Sequence, residues 1–160
     1  MKRCKLYRTG FTLVEVLISL AISALLMAAV AAAFNAAAMG YQDNRDIYNA
    51  INNARQALNR MTTELRTGYH VDANDPNTQC VFNLSDGTSV TYRYVPSDSN
   101  LYLIKGTATY TLCENVTDLY FNKSHTGDNG YSKGVQIYMQ VQSGSATQNL
   151  VAAAAIRRNL

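Results

Sequence analysis

From Phe11 to Phe34 the chain holds one ionisable side chain, Glu15, in an otherwise apolar run rich in Leu, Ile, Val and Ala. At a rise of about 1.5 Å per residue, a helix of this length crosses the roughly 30 Å hydrocarbon core of a bilayer. The stretch therefore reads as a membrane anchor. A carboxylate placed that deep costs about 2.5 to 3.5 kcal/mol on insertion scales, so Glu15 requires a positive partner. No Lys or Arg lies within helical reach of it on the apolar run. The missing charge has to come from outside, and an α-amine freed by a cut just before Phe11 would supply it.

Gly10-Phe11-Thr12-Leu13-Val14-Glu15, set after a short basic leader and ahead of an apolar helix, resembles the class III signal of type IV pilins and type II secretion pseudopilins. The resemblance implies that a prepilin peptidase cuts between Gly10 and Phe11 and methylates the new N-terminal amine on Phe11. It also implies that Glu15 neutralises an N-terminal amine as the subunit docks into a helical filament. The implied partners are that peptidase, other major and minor pilins or pseudopilins, the inner membrane and its assembly platform. The competing reading is an ordinary secretory signal peptide, with Lys2, Arg3, Lys5 and Arg8 as the basic region and Ala29-Val30-Ala31 as a small-residue cleavage site. Glu15 inside the would-be apolar core, and a helical pattern that continues past that cut, stand against it.

Length and charge fit an exported single-domain protein. Of 160 residues, those left after a leader and an anchor suffice for one modest core. The chain has 14 basic and 11 acidic residues, and the leader holds four of the basic ones and no acid, so the remainder carries 10 against 11, a formal −1. Nothing in that balance attracts nucleic acid. The same leader charges place the start of the anchor in the cytoplasm and everything after Phe34 outside. Cys80 and Cys113 then face an oxidising compartment, and the expectation is one disulfide between them, contributing about 2 to 4 kcal/mol, in preference to the alternative of two separately buried thiols. The spacing of Cys and His gives no zinc signature, and no metal or cofactor is expected.

Beyond the anchor the helical pattern persists. From Asn35 to Thr67 there is no Pro, and Ile47, Ile51, Ala54, Leu58, Met61 and Leu65 recur at alternating spacings of four and three. Asp43, Arg45, Asp46, Arg55, Arg60, Glu64 and Arg66 fill much of the remaining surface, so this half is amphipathic and should lie against a folded head. Gly68 supplies the stop. A helix from Phe11 to Thr67 makes a spine of roughly 85 Å.

His70 to Gln79 reads as a polar loop, and from Cys80 onward short β-rich runs alternate with turn residues. Val81 to Leu84, Asp86-Gly87 and Ser89 to Val95 form a hairpin pattern. Leu101 to Lys105, Thr107 to Leu112, Val116 to Phe121 and Val135 to Gln142 follow, with a last loop from Gly144 to Asn149 and a final strand from Leu150 to about Arg158. Tyr92, Tyr94, Tyr102, Tyr110, Tyr120 and Tyr138 suit half-buried strand positions. The Asp72 to Asn77 run lacks the Gly and the distal Glu of an EF-hand, and reads as a solvated turn. No phosphate loop or catalytic triad is arranged along the chain, so no enzymatic centre is expected.

The fold class is thus α+β, with a long N-terminal helical spine, transmembrane in its first half and amphipathic in its second, packed on a mainly antiparallel β-sheet head. The expected segments are 1–10 (leader), 11–34 (transmembrane and assembly half), 35–68 (amphipathic half) and 69–160 (head). The run Ala54 to Arg66, with Asn115 to Phe121, Gly134 to Met139 and Arg158-Asn159, is similar to the PilW and J-type minor subunits of the pilin superfamily. Ala32 stands where major subunits commonly carry Pro. Together these imply a minor pilin or pseudopilin that helps to initiate or cap a type IV pilus or type II secretion pseudopilus. It would sit in a bacterial inner membrane with a periplasmic head, and later in the filament near its tip. The alternative is a membrane-tethered or signal-peptide-exported β-rich binding module or adhesin.

Overall fold

A computed structural model describes residues 10–125, 130–144 and 146–156. One helix, α1 (Leu13–Thr67), precedes seven strands. These are β1 (Gln79–Asn83), β2 (Ser89–Val95), β3 (Asn100–Lys105), β4 (Ala108–Cys113), β5 (Val116–His125), β6 (Ser132–Ser143) and β7 (Ala146–Ala155). The chain divides into two compact units, Met1–Gln42 and Asp43–Leu160, and α1 contributes to both.

In the first unit α1 is apolar all round. Leu13, Leu17, Leu25, Met27 and Phe34 are exposed, and no residue of the most apolar stretch of the helix is buried. A helix that buries no face while presenting apolar side chains on every side is suited to lipid or to other helices rather than to water. Its length and composition suffice to cross a membrane.

The second unit is built on the amphipathic half of α1. Ala54, Ala57, Leu58, Met61 and Leu65 are buried, and this stripe recurs every three or four residues because side chains at that spacing share one helix face. Full burial of a Leu or Met side chain contributes about 1.5 to 3 kcal/mol. The stripe lies in the same core as the inward residues of both sheets. The helix ends at Gly68, where a Cβ would sit 2.5 Å from Phe82 Cδ2 and 3.3 Å from the Asn83 carbonyl oxygen. Only a residue without a side chain lets the chain turn this close to β1.

Two antiparallel meanders form the sheets, one in the order β1-β2-β3-β4 and the other β5-β6-β7. The β1–β2 turn is closed by Gly87, whose φ of +83 belongs to glycine, while Asp86 Oδ1 accepts from Thr88 N at 2.9 Å. In β6 the alternation is plain: Val135, Ile137, Met139 and Val141 are buried, while Gln136 is exposed and Tyr138 and Gln140 are partly so. The sheets are joined where Val116 N donates to Ser99 O at 2.9 Å and Phe121 N to Asn77 O at 2.7 Å. The hydroxyl of buried Tyr94 also donates to Thr117 O at 2.9 Å.

Two expectations need correction. The last strand begins at Ala146, not Leu150, and pairs with β6 over ten residues without a register shift. The expected loop shrinks to a turn around Gly144, whose φ is +57. Gln148, Asn149 and Leu150 carry no strong strand preference, so it is the β6 partner that extends the strand. Arg158 lies outside the described residues. The Cys80–Cys113 disulfide is absent: both are buried free thiols. Cys80 lies on β1 and Cys113 on β4, at opposite edges of the four-stranded sheet. Three strand spacings of about 4.8 Å separate those edges, whereas a disulfide needs Cα atoms within about 7 Å.

Candidate functional site

The N-terminal segment concentrates the residues singled out in the sequence. Gly10 and Phe11 precede the helix, and Phe11 is 85% exposed. A Cβ built on Gly10 meets nothing within 4 Å, and its φ is not positive. The folded chain itself therefore gives no reason for glycine at this position, in contrast to Gly68.

Glu15 is engaged locally. Thr12 N and Thr12 Oγ1 both donate to Glu15 Oε2 at 3.4 Å, and Glu15 N donates back to Thr12 Oγ1 at 3.3 Å. This reciprocal pair is a capping box, with Thr12 as N-cap and Glu15 three residues into the helix, satisfying two backbone donors that the first turn leaves unpaired. The bonds lie at the long end of the hydrogen-bond range, and Glu15 is exposed, so its carboxylate keeps acceptor capacity for a further cation. The Thr-x-x-Glu spacing that encodes the box was legible in the sequence; reading Glu15 only as a charge in need of a partner overlooked it.

In the head, charged groups serve the scaffold. Lys123 Nζ donates to Asp75 O at 2.7 Å and to Pro76 O at 3.4 Å, pinning the loop ahead of β1. Burial lowers the pKa of this lysine. Asp72 Oδ1 accepts from Asn74 N at 2.8 Å, an Asx-turn that consumes the carboxylate within the loop. Burial pushes the Cys80 thiol up to about 12, with Lys123 opposing and Asp75 adding to the rise. Burial likewise pushes Cys113 up to about 11. Thiols held this firmly protonated are poor nucleophiles. Among the described residues no three His, Cys, Asp or Glu side chains gather as a metal site.

The expected set is therefore divided by the fold. Gly10, Phe11 and Glu15 stand together at the start of α1, whereas Cys80 and Cys113 are separated core residues. Tyr120 and Tyr138 take the half-buried strand positions expected of them, stacking on the outer face of β5 and β6 with ring centroids 4.5 Å apart and Tyr120 41% exposed, whereas Tyr92 and Tyr94 are buried.

No curated protein and no solved structure matches the chain. Residues 5–31 match the family model of the prokaryotic N-terminal methylation motif. That span runs from the basic N-terminal residues through the Gly10–Glu15 segment and into the apolar half of α1. The chain thus carries the N-terminus of a type IV prepilin-like protein, on a long apolar helix whose second half packs against antiparallel sheets.

Proposed function

We propose that this chain is a minor pilin or type II secretion pseudopilin, a structural subunit that helps to initiate or cap its filament. The observation that carries the reading is the continuity of α1: the methylation motif at residues 5–31 opens a helix that runs unbroken to Thr67 and whose far half supports the head. A signal-peptide cut near Ala31 would sever that helix within its regular part. A cut between Gly10 and Phe11 falls just before the Thr12 cap and leaves the helix whole.

In this reading prepilin peptidase removes residues 1–10 and methylates Phe11. The requirement for Gly10, which the fold does not explain, belongs to the peptidase's close approach to the backbone. The apolar half of α1 holds the subunit in the inner membrane and then packs among the helices of neighbouring pilins or pseudopilins on the assembly platform. Glu15 meets an N-terminal amine there, since a carboxylate and an ammonium attract strongly once water is excluded. The head stands on the periplasmic side, and Ala32 and the likeness of Ala54–Arg66 to minor subunits favour a place near the tip over the bulk of the shaft.

Intact-mass and N-terminal peptide analysis of the protein from membranes tests the reading. The expected species begins with N-methyl-Phe11. A mature protein beginning near Ala32 would overturn it in favour of a secreted or tethered binding module.

A further inference from the structure

β7 forms one edge of its sheet. In an antiparallel ladder, residues alternate between those that bond to the neighbouring strand and those whose N–H and C=O point away from it. The phase in β7 is fixed by Ile156 N, which donates to Lys133 O at 2.9 Å in continuation of the β6–β7 register. Even-numbered residues of β7 therefore bond to β6, while Thr147, Asn149, Val151, Ala153 and Ala155 turn their backbone groups to the open edge. All of the latter are exposed, Val151 at 63%, and no described residue bonds to their backbone groups.

The other sheet edges are covered, broken or short. On β1, Asn83 exchanges both backbone bonds with Tyr69 at 2.9 Å. On β5, Val116 and Phe121 donate to Ser99 and Asn77, and the ladder carries two register shifts. The β4 edge is six residues long and lies beside a register shift. By contrast β7 runs ten residues without a shift and holds no charged residue, Pro or Gly. It lacks the devices by which exposed edges avoid pairing with other chains.

We propose that β7 pairs antiparallel with β7 of a second copy of this chain, about a two-fold axis at Val151. Another extended backbone is what repeats donors and acceptors at the spacing of this edge, and the order of side chains selects the chain's own β7. The first half of the strand carries the larger residues Thr147, Gln148, Asn149 and Leu150, and the second half is Ala152 to Ala155. A two-fold at Val151 sets Thr147 against Ala155 of the second copy, Gln148 against Ala154, Asn149 against Ala153 and Leu150 against Ala152. Each larger side chain then faces a small one, whereas a parallel pair in register would set Ala against Ala and leave gaps. The same axis makes every outward residue of one copy face an outward residue of the other, so that the whole edge is satisfied. With no charge on the strand, the symmetry brings no like charges together. The inference does not rest on how the N-terminus is processed.

Disulfide trapping tests it with the full-length chain in detergent micelles, in a Cys4→Ser background whose remaining cysteines are buried. Opposed residues of a bonded pair stand about 5.5 Å apart at Cα, within reach of a disulfide. Val151→Cys should therefore give a covalent dimer on mild oxidation. Thr147→Cys alone, far from its own symmetry mate, should not, whereas Thr147→Cys with Ala155→Cys should. Val151→Pro removes an N–H that β6 does not use, a change that edge strands tolerate, and should weaken the dimer in sedimentation equilibrium by about tenfold or more. Val151→Lys, which opposes like charges across the axis, should act in the same direction. Circular dichroism establishes that each variant is folded, and Val151→Lys replaces Val151→Pro if that variant is not. A chain that stays monomeric at micromolar concentration overturns the proposal, as does trapping of Val151→Cys no greater than that of Thr147→Cys alone. A dimer unmoved by either Val151 substitution would be held elsewhere, through α1 for example, and would also overturn it. So would crosslinking of Val151→Cys in membranes to a different protein in place of itself.

Discussion

The Tyr92 hydroxyl donates to Glu64 Oε2 at 2.5 Å, tying the middle of β2 to the last turns of α1. Tyr92 is fully buried, and Glu64 is held from its other side by Arg60 Nε at 3.1 Å. The contact joins elements that the apolar pattern alone brings together without specifying their rotation. A hydrogen bond to a charged group contributes about 1.5 to 3 kcal/mol. Tyr92→Phe should therefore lower stability by about 1.5 to 2 kcal/mol, the lower part of that range, because Arg60 still satisfies the carboxylate. Urea unfolding of wild type and variant measures the difference, and an unchanged midpoint would show the bond to be dispensable.

Gly68 offers a steric test. Any side chain there is driven into the Phe82 ring, and overpacking of this kind costs about 1 to 3 kcal/mol. Gly68→Ala should lower the thermal midpoint, and Phe82→Leu in the same chain should return part of the loss by making room. Gly10→Ala, with nothing near its Cβ, should leave the midpoint unmoved. A reversed order of sensitivity would contradict the packing described.

The two buried thiols set an alkaline limit. Their folded pKa values lie above the ordinary 9.0, near 12 for Cys80 and near 11 for Cys113, chiefly because of burial. Below pH 9 both states hold the proton and the stability is intact. As the pH rises past 9 the unfolded chain releases protons that the folded chain keeps, so stability falls until the folded thiols ionise in turn. For Cys80 the slope approaches about 1.4 kcal/mol per pH unit. Tyr92, also raised by burial and by the Glu64 carboxylate, adds to the fall above pH 10. Urea midpoints between pH 8 and 11 should decline, and decline less steeply in Cys80→Ala. Equal slopes in the two proteins would remove Cys80 from this account.

The free thiols make a chemical prediction too. Protein isolated from membranes without reductant should show no Cys80–Cys113 peptide on mass mapping, and both cysteines should be alkylated readily only after unfolding. Recovery of the crosslinked peptide pair would contradict the sheet order.

At the N-terminus, Gln can fill the third position of a capping box as Glu does, so two substitutions separate capping from docking. Glu15→Gln should keep the start of the helix but lose the proposed pairing with an N-terminal amine. Glu15→Ala should lose both. With cleavage after Gly10 verified for each, both variants should co-purify less with partner subunits than wild type, and wild-type recovery of the complex by both would reject Glu15 as the docking residue. Gly10→Val should retain the leader, and normal processing of that variant would remove the peptidase explanation for Gly10.

Much of this architecture was legible because periodicity is a local signal. The alternation of four and three from Ile47 to Leu65 marks the buried face of α1, and Asp86-Gly87 marks the first hairpin. What was not legible depends on partners distant along the chain. Ala146 to Asn149 became strand because β6 offers ten residues of unbroken pairing. Cys80 and Cys113 look like a natural bridge until strand order sets them at opposite edges. Tyr92 and Tyr120 have similar β-strand surroundings in the sequence, yet one is fully buried and the other faces outward, since only tertiary packing decides which sheet face meets the core.

The Thr12–Glu15 cap also bears on what cleavage does to electrostatics. The aligned peptide dipoles of α1 leave a partial positive charge at its first turn. A cut at Phe11 adds a full ammonium beside that turn, and like charges at a helix start favour fraying. Glu15 is already fixed there by the capping bonds, so its carboxylate offsets the dipole and the new amine together. Under the proposed cut, loss of residues 1–10 would then leave the first turn of α1 wound.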